Sequence, residues 1–456
     1  MEEPKAVVTE NFYNTASEVK TAVNAIYSPL RTNTYPVYIG FLDINSEYGY
    51  GRGSYSQVND FQGFNTNNIN RVAGFWTMLY LSIRNANLVI MNAPNGNNIS
   101  EDDIKSNVAE AKFLRALCYF HLVRDWGGVP IRSEENMNET DLKRNTADEV
   151  YDFILEDLKY AEANLPETQT EIGRPTKYAA ETMLADVYLT LGKYEEAASE
   201  SKAVIASDQY ALVPVQTTAD FQSIFGPDVT TTPEEVFYFK YMRQPGQGNY
   251  MLWILNHPNT HYFNFGGSYA NYGMNNIPFY EHWDGNDLRK GMWDTIDFGL
   301  GPNTIVYNKF RDQNAVGKLG AGNDLPEYRY AEVLLIYAEA ASRAAGQPTA
   351  DAMEALNKVH RRAYGKAPKE PSAIDFNLAD YDLNRFIDLV IRERGYEFQF
   401  EGKRWFTLKR TGKLEEAIME NRGISIAKSV FLWPVPTDEF NFNKALNPVK
   451  DQNPGY

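Results

Sequence analysis

Apolar positions in "TKYAAETMLADVYLTLGKYEEAASESKAVIAS" recur every four residues: Ala179, Met183, Val187 and Leu191, flanked by Ala180, Leu184 and Tyr188. That period predicts an amphipathic helix. Gly192 interrupts it, and Tyr194, Ala197, Ala198, Val204 and Ile205 open a second helix, so the pair reads as an antiparallel hairpin of about tetratricopeptide length. The pattern returns in "PEYRYAEVLLIYAEAASRAAGQPTADAMEALNKVHRRAYG", where Gly346 stops one helix and Pro348 and Thr349 start the next. A third pair joins "DDIKSNVAEAKFLRALCYFHLVRDWG" to "TADEVYDFILEDLKYAEANLP", and a fourth begins at "DLNRFIDLVIRERGYEFQFEGKRWFTLKR". Such hairpins bury a continuous core only when several stack.

These hairpins are not consecutive. Residues 210–326 carry a stretch, "EVFYFKYM", whose alternation fits a strand, and then an aromatic run over residues 256–285 set among Asn, Gly and Pro. Residues 32–70 are similarly rich in Tyr, Gly and Asn. Long irregular segments in a compact protein are usually functional. The pattern predicts a mainly α fold: a tetratricopeptide-like helix-hairpin scaffold with a large irregular loop-rich part and a few short strands. Residues 1–225 would hold the first aromatic insertion and residues 226–456 the second, the two forming one globular unit.

Composition changes the picture in two places. Aromatic residues reach 14%, with 30 Tyr, 25 Phe and 7 Trp, and rings that pair an apolar face with a polar tip suit a half-wet binding surface. The formal charge of -16 disfavours nucleic acid and anionic membrane, and makes a neutral ligand the easier partner unless a local basic patch overrides the field. The 43% hydrophobic and 23% charged fractions are those of an ordinary globular chain, and no run of apolar residues is long enough to span a membrane. The one cysteine, Cys118, sits in an apolar helical run and reads as a buried thiol.

Chemistry-bearing motifs are missing. Glu281, Asp284 and Asp287 beside Trp283 could be cast as glycosidase carboxylates, but solvated or structural carboxylates at a turn explain "EHWDGNDLRK" better. The five histidines lack metal-ligand spacing, "DGND" lacks the remaining positions of a calcium loop, and no phosphate-binding glycine loop or nucleophile elbow is present. The expectation is therefore no enzyme, no cofactor and no metal. Glu393, Glu397 and Glu401 share a helix face at four-residue spacing and read as a charge network between packed helices. Trp76, Tyr80, Tyr119, Phe120 and Trp126 fall on helical faces and read mostly as core.

Four stretches in order resemble the SusD/RagB family of outer-membrane nutrient-binding lipoproteins of Bacteroidetes. "FWTMLYLSIRNANLVI" carries Trp76, Tyr80, Arg84, Asn85 and Asn87, and "AEAKFLRALCYFHLVRDWGGVPI" ends in Gly127, Gly128 and Pro130. "IRERGYEFQFEGKRWFTLKRTGKL" carries Arg392, Glu393, Arg394, Glu397, Glu401, Gly402, Arg404 and Lys409, and "FLWPVPTDEFNFNKALNPVKDQNPGY" closes the chain from Gln452 to Tyr456. Thr407 stands where many members carry Asp and Gly395 where Arg is common, which should thin the ion pairs of that helix. The resemblance implies a surface-exposed outer-membrane lipoprotein whose anchoring cysteine would precede this sequence. It also implies a glycan ligand, or a peptide in some relatives, and a SusC-like TonB-dependent transporter as partner.

A sugar ring offers apolar C–H faces and a rim of hydroxyls, which calls for flat aromatic rings edged by Asn, Asp and Arg. The candidate ligand residues are Tyr48, Tyr50, Tyr55 and Asn65 in the first insertion. Those in the second are Tyr250, Trp253, Tyr262, Tyr269, Asn271, Tyr272 and Trp283. Residues 250–272 carry the strongest expectation, with Arg52 and Arg243 among the polar neighbours. A scaffold of another class, binding protein on its helical face alone, would leave these rings idle.

Overall fold

The computed structural model describes residues 12–64 and 66–456, apart from the side chains of residues 66 and 67. Helix α1 (Ala16–Leu30) starts on a reciprocal cap in which the Thr15 side chain accepts from the Glu18 N–H and the Glu18 carboxylate accepts from the Thr15 N–H. This satisfies donors that the first turn leaves open. The helices α2 (Thr34–Ile44), α3 (Thr66–Asn92), α4 (Glu101–Trp126), α5 (Ala147–Asn164), α6 (Lys177–Thr190) and α7 (Tyr194–Ala206) follow. Helix α1 packs on α3, and α3 through α7 each pack on the next.

Beyond the short α8 (Met251–Leu255), α9 (Tyr330–Ala345) lies on α7 and α6, then carries α10 (Ala350–Ala363) and α11 (Leu383–Glu397). The helices α12 (Arg404–Arg410) and α13 (Leu414–Arg422) complete this side. All the predicted hairpins form, and they end where local chemistry ends them. Gly192 and Gly346 adopt φ of +71° and +70°, a region that favours glycine. Thr349 then caps α10 by accepting from the Ala352 N–H at 3.2 Å.

Two elements depart from the expectation. Helix α6 is not amphipathic in use: Tyr178 through Leu189 are all buried, because α5, α7, α9 and two strands surround it. Residues 34–44, expected as loop, form α2, with Pro36 confined to its first turn, where its missing N–H costs nothing. Gly40 lets α2 approach closely, since a Cβ there would lie 2.7 Å from Ile254 Cδ1 and 2.8 Å from Asn271 Nδ2.

Among the described residues six short strands make two antiparallel sheets: β1 (Tyr50–Gly51), β2 (Glu235–Phe239), β3 (Asn271–Met274), β4 (Trp293–Thr295), β5 (Thr304–Tyr307) and β6 (Leu325–Arg329). One has the order β1-β3-β5-β4, and the other pairs β2 with β6. "EVFYF" is a strand as predicted, but Val236 through Phe239 are all buried rather than alternating. Residues 256–285 are less irregular than they read, holding β3 and a helical turn at Pro278–Glu281.

The Glu393, Glu397 and Glu401 face is a buried charge network. Arg289 reaches Glu393 at 2.8 Å and Glu397 at 3.1 Å, Arg329 reaches Glu397 at 2.5 Å and Glu401 at 2.9 Å, and Arg362 pairs with Glu397 and Glu234. Burial pushes the Glu393 carboxyl up, but Arg289 and His360 pull it down to about 2. Thr407 takes part by accepting from Arg394 Nε at 3.4 Å, and Gly395 makes room for Arg404, whose Nη1 would lie 2.8 Å from an added Cβ. Ion pairing on this helix is dense despite both replacements. The C-terminal stretch is also structural: Asn453 donates to the Trp126 carbonyl at 2.9 Å and Trp126 Nε1 to the Pro434 carbonyl at 2.9 Å.

Candidate functional site

Strand β1 pairs with β3 in the register Tyr50 to Tyr272 and Gly51 to Asn271, so the Tyr50 and Tyr272 rings stack across the strands, 5.4 Å apart and 30° from parallel. Asn271 and Gly273 alternate inward and are buried, while Tyr272 and Met274 point to the half-exposed side. The ladder continues through the Arg52 N–H, which donates to the Ala270 carbonyl at 2.7 Å. A rim of the four-stranded sheet thus gathers rings from two insertions about two hundred and twenty residues apart.

The segment before β3 is shaped by glycine. Gly266 and Gly267 take φ of +84° and +121°, and a Cβ on Gly267 would lie 2.1 Å from the Asn256 carbonyl oxygen. This lays Ser268 and Tyr269 against α8, with the Ser268 N–H donating to the Trp253 carbonyl at 2.6 Å and the Tyr269 N–H to the Asn256 carbonyl at 3.1 Å. Tyr269 itself has φ of +39°, a left-handed backbone that costs a side-chain-bearing residue about 1–3 kcal/mol. Its ring meets His257 at 4.5 Å and Phe298 at 5.0 Å, and Phe298 in turn meets the Tyr272 ring edge-on at 5.6 Å.

Cations occupy the faces of these rings. Arg52 lies 3.9 Å from the Tyr269 centroid, Arg422 3.5 Å from Tyr50, Arg71 4.4 Å from Tyr55 and Lys318 3.9 Å from Trp253. Burial, then the Arg52 charge, pushes the His257 imidazole down, which favours its neutral form. Burial also pushes the Arg422 guanidinium below its usual value. Tyr250 neighbours Tyr55, and no ring or cation lies over it among the described residues; burial and that neighbour raise its hydroxyl.

Three of the predicted residues are displaced from the surface. Tyr48 is fully buried and its hydroxyl donates to Asp43. Trp283 is 2% exposed, stacks on Tyr396 at 4.3 Å and donates from Nε1 to Asp287 at 2.9 Å. Asn271 is 2% exposed and donates to the Gly40 carbonyl at 2.8 Å. Each is taken up by packing before it could meet a ligand. Tyr262 stands apart from the ring cluster, with Arg311 4.2 Å from its centroid, and Asn65 lies outside the described residues. Arg243, expected as a polar neighbour, is bound to Asp228 and Asp312 instead.

Tyr50, Tyr55, Tyr250, Trp253, Tyr269 and Tyr272 remain half-buried. His257, Phe298 and Arg422 join them without having been foreseen. Phe298 stands in the glycine-rich "TIDFGLGPN", so aromatic-in-loop reasoning could have found it. Arg422 had no such mark; it ends α13, and its side chain donates to the Gly49 carbonyl at 2.6 Å, 373 residues away.

Other chemistry is spoken for. Asp287 is buried against Arg289 at 2.6 Å, Asp284 accepts from the Asn286 N–H and Tyr364 hydroxyl, and Glu281 is exposed. Cys118 is buried and its thiol is raised by that burial. A groove of about 450 Å³ lies elsewhere, between α3 and residues Thr437–Phe442, lined by Trp76, Tyr80, Leu81, Met137 and Phe442. It contains none of the predicted ligand residues.

Comparison with known proteins supplies the context. Residues 10–189 match a family described as starch-binding associating with outer membrane, and residues 259–456 match the SusD family. The chain is 30% identical over 98% of its length, and 94% of the relative's, to SusD-like protein P2 of Formosa agariphila. Among solved structures it is similar to a SusD homologue from Bacteroides thetaiotaomicron, with a TM-score of 0.83, 22% identity and 99% of each chain covered. It is also similar to surface glycan-binding protein A of the same species, in complex with laminarihexaose, with a TM-score of 0.79 and 22% identity over 97% of this chain and 100% of that one.

Proposed function

This chain belongs to the SusD/RagB family, and from that premise we propose that it binds oligo- or polysaccharide non-catalytically at the outer-membrane surface and delivers it to a TonB-dependent transporter. The observation that carries the reading is the convergence of Tyr50, Tyr269, Tyr272 and Phe298 on one sheet rim, edged by arginine. Rings with polar tips, set among N–H donors and hydroxyls, can take the apolar faces of a sugar and its hydroxyl rim together. The acidic residues that might have served hydrolysis are either paired or solitary, which supports binding without bond cleavage. The glycan-binding relative and the outer-membrane description of the matching family support the same assignment.

Calorimetric titration against a glycan panel tests it. Tyr269→Ala and Tyr272→Ala should each weaken binding by about tenfold, the scale of one ring–sugar contact of roughly 1.4 kcal/mol. Wild-type affinity in both variants would move the site off this rim. A peptide ligand is the second reading, favoured by the apolar groove between α3 and residues Thr437–Phe442, where Phe442 is 77% exposed. An apolar peptide whose binding is lost in Leu81→Asp and kept in Tyr269→Ala would favour it.

A further inference from the structure

Cations lie against the rings of the rim. Arg422 covers Tyr50 on one side while Tyr272 stacks on it, and Tyr269 is met by Arg52, His257 and Phe298. This surface therefore sets guanidinium and ammonium groups beside tyrosine rings and hydroxyls. Among the described residues none of these four cations makes an ion pair with a carboxylate. The Arg52 guanidinium donates to the Ser268 carbonyl at 3.4 Å, and that of Arg71 to Asn68 and Ser54. Arg422 donates only to the carbonyls of Gly49 and Asn59, and Lys318 has only the Trp253 ring. Other arginines are neutralised: Arg243 by Asp228 and Asp312, Arg404 by Glu47, Arg289 by three carboxylates.

In a chain of net charge -16, unpaired cations gathered on one rim form a positive island in a repelling field. Arg52 and Arg422 both act on the Tyr272 hydroxyl, so their charges overlap in one place. Arg71 joins through Ser54, and Lys318 through Trp253, whose carbonyl holds Ser268 beneath Arg52. The nearby acids are engaged: Asp297 accepts from the Gly299 N–H at 2.9 Å, Asp294 from Asn308 Nδ2 at 2.7 Å, and Glu47, which acts on Arg422, from Arg404 at 2.7 Å.

Resting on the glycan reading above, we propose that the saccharide taken on this rim is anionic, its carboxylate or sulfate groups paired by Arg52, Arg71, Arg422 and Lys318. Guanidinium groups supply charge-assisted, bidentate hydrogen bonds to planar or tetrahedral oxyanions, and their positions over rings restrict how much side-chain freedom binding must remove. The repulsive outer field then selects against polyanions that cannot reach the island.

The test is calorimetry with hexagalacturonate for carboxylate, a sulfated carrageenan hexasaccharide for sulfate, laminarihexaose as the neutral glycan and hexaglutamate as an acidic peptide. The whole chain is titrated at about 20 mM and about 200 mM NaCl, salts that span weak and strong screening. One of the two anionic saccharides should bind at least about tenfold tighter than laminarihexaose and weaken several-fold at the higher salt. The one that binds identifies the acid. Arg52→Gln and Lys318→Ala, in accessible positions, should each weaken it about tenfold while thermal melting is unchanged. Laminarihexaose binding as tightly, without salt dependence, would overturn the anionic assignment and leave the glycan site standing. Hexaglutamate binding as tightly as the best saccharide would overturn it because charge alone is then read. No saccharide binding at all would overturn the glycan reading and this one with it.

Discussion

Tyr48, Trp283 and Asn271 occupy loop-like sequence no different in composition from that of Tyr50, Tyr269 and Tyr272, yet the first group is core and the second is rim. Glycine and asparagine around an aromatic residue report that the backbone is irregular, not which way the ring points. Along β3 the side of the strand decides: Asn271 goes in and Tyr272 out because successive side chains alternate. For Trp283 the deciding partners are Tyr396, over a hundred residues away, and Asp287, which Arg289 links to the distant Glu393 and Glu397. Trp283→Ala should therefore destabilise the fold by about 3–5 kcal/mol, the cost of emptying a large aromatic site in a core. Chemical denaturation would read that loss, and glycan affinity of the folded protein should remain near wild type.

At the scale of elements, the helices were legible because their signals are local. Hydrophobic period, threonine caps and left-handed glycines at 192 and 346 act within a turn or two of the residue concerned. Thr349→Ala, which removes the cap of α10, should cost about 1 kcal/mol in unfolding free energy. Gly395→Ala should cost more, about 1–3 kcal/mol, because its Cβ must displace the buried Arg404 guanidinium held by Glu47. Equal melting temperatures for Gly395→Ala and the wild type would show that Arg404 can move aside. The strands were less legible. Helix α2 and strand β3 arise within sequence that reads as loop, since both are stabilised by what packs on them: Gly40 touches Ile254 and Asn271, and β3 is held between β1 and β5.

Over the whole molecule, buried carboxylates pull stability in two directions with pH. Burial raises Glu327, Glu339 and Glu393, but Lys403 for Glu327, Arg410 for Glu339 and Arg289 for Glu393 bring each down to about 2. Unfolded glutamates titrate near about 4.3, so the stability these three lend is complete above that pH and lost as pH falls through about 2. Asp43 and Asp125 run the other way: burial raises both to about 7, against an unfolded value near about 3.9. The folded state then holds their protons longer, and stability declines as pH rises from about 4 to about 7. The denaturation midpoint should be greatest at about pH 4, and lower at pH 2.5 and at pH 8. A midpoint that climbs steadily to pH 8 would contradict the raised pair.

The sequence by itself determined the helix pairs, the mainly α class, the charge network on one face of α11 and its extension, and the general neighbourhood of the rings. These follow from interactions between residues a few positions apart and from a four-part resemblance. Only the tertiary structure decided which rings are exposed, which cations cover them and which carboxylates are already paired. Tyr50 meets Tyr272 through strand register, and Arg422 meets Tyr50 by the packing of α13 against a turn 373 residues earlier. Such meetings depend on the whole chain folding back on itself, and no local period or spacing encodes them.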